Sequence, residues 1–128
     1  MSNWDRLEAL ALGLPEAEQV DIEAWGDHPT FRVRGKNFVF ADPRATHLSV
    51  KLSKDEAAAV VASDPWVEAT GYGLGRHGWV SIVLDDPAND ERWQQVEEWV
   101  RISYSLVAPK RLARTVLDAE GGRPAPGA

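Results

Sequence analysis

The side chains best suited to chemistry in this sequence are Arg32, Arg34, Lys36, His47, Lys51, Arg76, His77 and Trp79. Guanidinium and ammonium groups bind phosphates, and an indole beside them offers a plane on which a base or another flat group can stack. These residues do chemistry together only if the fold brings them to one surface. Strand alternation does so for Arg32, Arg34, His47, Lys51 and Trp79, with Ser49 and Ser81 alongside. Lys36 then sits at a hairpin tip, and Arg76 and His77 in a glycine-rich loop. The competing reading is a solvated polar sheet face on which long stems cover Trp79. A second basic group, Lys110, Arg111 and Arg114, lies at the C-terminal end of the helical region, where it can serve the helix dipole.

Other motifs promise less. Gly73-Leu74-Gly75-Arg76-His77-Gly78 spells G-x-G-x-x-G, but a dinucleotide fingerprint needs a helix directly after it, and here a strand pattern follows. The expectation is a hairpin loop. His28, His47 and His77 have no helical H-x-x-x-H spacing, so no metal site is expected. Glu16, Glu18, Asp21 and Glu23 form an acidic cluster, which alternation turns into a solubilising strand edge. There is no cysteine, no G-x-S-x-G and no serine in a triad context, so no catalytic residue, metal or cofactor is assigned. The reading is of a binding protein, not an enzyme.

The elements that position these residues follow from periodicity. Ser2 or Asn3 caps a helix carrying Trp4, Leu7, Leu10, Ala11 and Leu14, ended by Gly13 and Pro15. Val20, Ile22 and Ala24 alternate with Asp21, Glu23 and Trp25 as a half-buried strand. Thr30 to Phe40 forms a hairpin with Gly35-Lys36 as its loop. Arg34 then faces Asn37, Val33 faces Phe38, Arg32 faces Val39 and Phe31 faces Phe40. Phe31, Val33, Phe38 and Phe40 share one face of this hairpin, and Arg32, Arg34 and Asn37 the other. Leu48, Val50 and Leu52 point inward from the next strand. Ser53-Lys54-Asp55-Glu56 is a capping box for a short helix with an apolar stripe of Ala57, Val60 and Val61.

Glu68 to Tyr72 reads as a strand. Trp79 to Leu84 reads as another, with Val80, Ile82 and Leu84 inward. Asn89 or Asp90 caps the longest helix, with Trp93, Val96, Val100 and Val107 at helical spacing. Lys110 to Leu117 forms a last helix that packs through Leu112 and Val116.

The order argues for one α+β domain over residues 1–117: a two-layer sandwich of an antiparallel sheet with helices on one face. Residues 118–128 read as a disordered tail by composition.

The 128 residues suit one domain, and 44% hydrophobic with 27% charged composition indicates a globular chain. Fourteen basic and twenty acidic side chains give a net charge of −6, which disfavours a dedicated nucleic-acid binder, whose footprint is basic. The N-terminus lacks the basic and apolar regions of a signal peptide, and no apolar run is long enough to span a membrane. The expected location is the cytoplasm.

Four stretches resemble the MmcQ/YjbR family, a domain of unknown function. They are His28-Pro29-Thr30-Phe31-Arg32-Val33-Arg34-Gly35-Lys36, Leu48-Ser49-Val50-Lys51, Gly78-Trp79-Val80, and Ser103-Tyr104-Ser105-Leu106-Val107-Ala108-Pro109-Lys110-Arg111. Their order and spacing suit the family over residues 3 to 117. The resemblance implies a frataxin-like (CyaY-like) fold and DNA as partner through the basic, Trp-bearing sheet face. The alternative partner is a small planar ligand or a protein. The acidic segment between Pro15 and His28 departs from the family pattern.

Overall fold

The computed structural model describes residues 2–23, 28–71 and 73–121, with side chains through residue 117. Helix α1 (Asn3–Leu12) leads to strands β1 (Ala17–Ile22), β2 (His28–Val33), β3 (Lys36–Ala41) and β4 (His47–Lys51). Helix α2 (Lys54–Ser63) and strand β5 (Val67–Ala69) follow, then a 3-10 turn over Leu74–His77 and strand β6 (Trp79–Val83). Helices α3 (Asp90–Val107) and α4 (Lys110–Gly121) complete the chain.

Every strand pairing is antiparallel, in the order β1-β2-β3-β4-β6-β5. The helices pack on one side of this sheet, as the sequence implied. Helix α2 carries the chain over β6, so that β4 and β5 flank it. The core lies between the layers. It joins Leu7 and Ala11 of α1 and Trp93, Val96 and Val100 of α3 to Phe31, Val50 and Ile82 of the sheet.

Alternation placed β4 and β6 correctly: Leu48, Val50, Val80 and Ile82 are buried, while Ser49 and Ser81 lie between them on the other face. Two caps also form as read. The Ser53 hydroxyl accepts from the Glu56 amide at 3.2 Å, and the Asn89 side chain accepts from the Arg92 amide at 2.8 Å.

At the first helix Ser2 alone is the cap, accepting from the Asp5 amide. Asn3 is fully buried instead. It donates to the carbonyls of Ala45 and Asp85 and accepts from the Ala88 amide and the Trp93 indole. Four satisfied bonds make that burial affordable and tie α1 to two loops.

The hairpin differs from its expectation. Its loop is Arg34-Gly35, with Val33 opposite Lys36. Both loop residues have positive φ, 51° and 79°, the signature of a type I′ turn. A β-bulge then adds one residue to β3, so that Phe31 faces Val39 while Arg32 faces Asn37. Phe38 and Val39 are both buried as a result, and Phe40 turns to the open face opposite Thr30.

Smaller departures have local causes. Val61 is exposed, because α2 covers the edge of the sheet and buries only Ala57 fully. Strand β5 is short, and Tyr72 lies outside the described residues, as do Ala24 and Trp25. Helix α4 runs to Gly121, beyond the helix end read at Leu117, and residues 122–128 lie outside the described residues.

Candidate functional site

With the helices on one side, the opposite face of the sheet carries no helix layer among the described residues, and it is called the open face. Strand register sets its central row: Val20, Thr30, Phe40, Ser49, Ser81 and Glu68, one from each strand. Val20 and Ile22 of edge strand β1 are half-buried on this face, whereas Asp21 is exposed. The charges on it balance. Arg32 is opposite Glu18, and Lys51 and Glu68 lie on β4 and β5.

A cleft of about 680 Å³ opens on this face. Phe40 and Ser49 form its floor, Leu74 of the 3-10 turn and Thr70 one wall, and His28 with Pro29 the other. Most of the lining is apolar, and the volume lies within the range of small-molecule sites.

Ser49 and Thr70 bring two hydroxyls to its lining, and the Ser81 hydroxyl links them. Ser49 Oγ lies 3.0 Å from Ser81 Oγ, and Ser81 Oγ lies 3.0 Å from Thr70 Oγ1. This chain needs β4, β6 and β5 side by side, a juxtaposition created by the α2 crossover.

Trp79 lies on the open face as expected, but it is only 8% exposed. Phe40 meets it edge-on with ring centroids 5.2 Å apart, and the 3-10 turn leads directly into β6 beside it. The indole therefore supports the cleft and cannot serve as an exposed stacking plane, which corrects that expectation. Gly73 and Gly78 frame the turn in left-handed conformation, and a Cβ on Gly78 would collide with the Leu52 carbonyl oxygen. A strand follows this glycine motif, not a helix.

The remaining sequence candidates divide by place. Arg32 Nε lies 3.3 Å from Thr30 Oγ1 on the open face. Arg34 sits in the turn and forms a bidentate pair with Glu16 at 2.6 and 3.0 Å. That hydrogen-bonded pairing lowers the Glu16 pKa and raises that of Arg34. Lys36 begins β3, Lys51 ends β4 and Arg76 precedes β6, so antiparallel order brings all three to one end of the sheet. Their charged groups have no ion-pair partner among the described residues. His77 is exposed on the 3-10 turn.

His47 begins β4 at the other end, its Nδ1 3.2 Å from Thr46 Oγ1. Beside it, burial pushes the Asp42 pKa up, but bonds from the His47 amide and from the Thr46 hydroxyl and amide outweigh this and leave it lowered. The three histidines do not converge. Among the described residues no group of three or more His, Asp or Glu side chains could hold a metal ion, and no helix is long and apolar enough to cross a membrane.

Sequence reasoning missed Phe40, Thr70 and Leu74 as parts of the site. For Phe40 the reason is the turn: an Arg34-Gly35 loop with one bulge reverses its face.

The sequence profile of the YjbR family matches residues 12–106. Among solved structures, the chain is similar to the Deinococcus radiodurans protein DR2400, which carries the domain DUF419. The TM-score is 0.69 at 21% identity, over 97% of this chain and 91% of that one. At that identity the likeness concerns the fold. No protein of curated function is significantly similar to the chain.

Proposed function

We propose that this chain, which belongs to the YjbR family, is a binding module that takes a planar, largely apolar small molecule into the cleft on the open face of its sheet. The observation that carries this reading is the cleft itself: about 680 Å³, floored by Phe40 braced on Trp79, with a line of hydroxyls and the His28 ring as the polar groups at its described lining. Flat apolar surface removed from water stabilises such a complex by roughly 25 cal/mol per Å² before the cost of association. The balanced charge of the face supports an uncharged occupant over a polyanion.

Thermal melting against a set of fused-ring compounds tests the reading, because a ligand of the native state raises the midpoint. A rise that salt leaves unchanged and that Phe40→Ala removes supports it. A set that never moves the midpoint counts against it.

DNA is the second reading, favoured by Lys36, Lys51 and Arg76 at one end of the sheet. It requires duplex affinity that collapses with salt, since phosphate contacts release counterions. Anisotropy of a labelled duplex with Lys51→Glu/Arg76→Glu protein separates the two readings.

A further inference from the structure

We infer that the cleft selects a neutral ligand bearing one hydrogen-bond acceptor, such as a ketone on a fused ring, and that the Ser49–Ser81–Thr70 hydroxyl chain is the element that reads it; this rests on the cleft being the binding site. Three hydroxyls bring three protons. The two contacts along the chain, each 3.0 Å, use two of them. No other hydrogen bond of these hydroxyls occurs among the described residues. One proton is left to point out of the chain, at Ser49, at Thr70 or at Ser81, according to how the hydroxyls rotate.

Ser49 and Thr70 both line the cleft, so a proton at either end meets its contents. A chain in which each hydroxyl accepts from its neighbour donates more strongly than a lone serine. An acceptor on the ligand is therefore rewarded.

Charge is not. His28 is the one titratable side chain among the described lining residues, and it is exposed at the rim. A carboxylate drawn into the apolar part would lose its hydration against a single donor, which does not compensate it. A purely apolar ligand would leave the spare proton without a partner.

Equilibrium dialysis of the full chain with naphthalene, 2-acetylnaphthalene and 2-naphthoate tests this, in wild type and in Ser49→Ala/Thr70→Val. The expected result is about tenfold tighter binding of the ketone than of naphthalene in wild type. That preference, read as the ratio of ketone to naphthalene affinity in each protein, should vanish in the double variant. Naphthalene binding without gain from the ketone, or a gain that survives the double variant, overturns the inference and leaves the cleft reading standing. Tighter binding of 2-naphthoate than of the ketone overturns the neutral class. If neither neutral compound binds, the cleft reading falls and the inference with it.

Discussion

The hydroxyl of Ser103 on α3 donates to the carbonyl of Phe38 at 2.6 Å, from within the helix layer into the sheet. The same oxygen accepts from the Lys51 amide at 2.8 Å. Phe38 and Lys51 would be the next pair beyond Val39 and Val50, but the bulge at Phe38 ends that ladder. A fully buried serine replaces the missing strand bond. Ser103→Ala should leave one donor and one acceptor buried without partners and cost about 2–4 kcal/mol. Chemical denaturation measures this. A loss below about 1 kcal/mol would mean that β3 and β4 close up without the hydroxyl.

The 3-10 turn that walls the cleft depends on Gly78, whose φ is 91° and whose pro-Cβ position is occupied by the Leu52 carbonyl. Gly78→Ala should cost more stability than the roughly 1 kcal/mol typical of a backbone preference alone, read as a lower melting midpoint, because the collision is with main chain. Gly35→Ala meets no neighbour and should show only the cost of its positive φ. Equal losses in the two variants would contradict the packed turn.

Asp64 at the end of α2 binds Arg92 of α3 through both oxygens, at 2.7 and 3.1 Å, with each side chain 17% exposed. The guanidinium bonds hold the Asp64 carboxyl below its usual pKa. A group with a depressed folded pKa contributes stability that is complete above its unfolded value and is lost as pH falls through the folded one. Asp64→Asn should therefore cost about 1.5–3 kcal/mol near neutrality. The gap to wild type should hold down to about pH 5 and shrink below about pH 4. A gap that stays constant from about pH 5 to about pH 2 would show that the ion pair contributes nothing specific.

Much of the fold was legible because its signals are local. The S-x-x-E box, the Asn89 cap and the inward placement of Leu48, Val50, Val80 and Ile82 each depend on a few neighbouring residues, and each appears in the structure as read. The hairpin register was not legible, since it depended on whether Arg34 would accept a left-handed conformation, and its pairing with Glu16 from another turn favours that. Burial of Trp79 and Asn3 is likewise a tertiary outcome. The indole meets Phe40, whose face the bulge decides, and the Asn3 amide is satisfied by loops 42 and 82 positions away. Alternation put Ser49 and Ser81 on one face, but their link to Thr70 was not legible, because the three meet only through a non-sequential strand order.

Removing the aromatic floor should separate stability from binding. Phe40→Ala takes away the edge contact to Trp79 and widens the cleft. On a partly exposed face the stability loss should stay near the low end of the roughly 3–5 kcal/mol for a core phenylalanine. Affinity for fused-ring ligands should fall by about tenfold or more. Unchanged affinity, measured by the same dialysis, would move the binding site elsewhere.

The most direct test of the central claim is a heteronuclear NMR titration of the 15N-labelled full chain with 2-acetylnaphthalene. The account predicts saturable shifts confined to amides around the cleft, those of Phe40, Ser49, Thr70 and Leu74 foremost, with Lys36 unmoved at the basic end of the sheet. Shifts absent from the cleft, or appearing only at Lys36, Lys51 and Arg76 when a DNA duplex is added in its place, would contradict it.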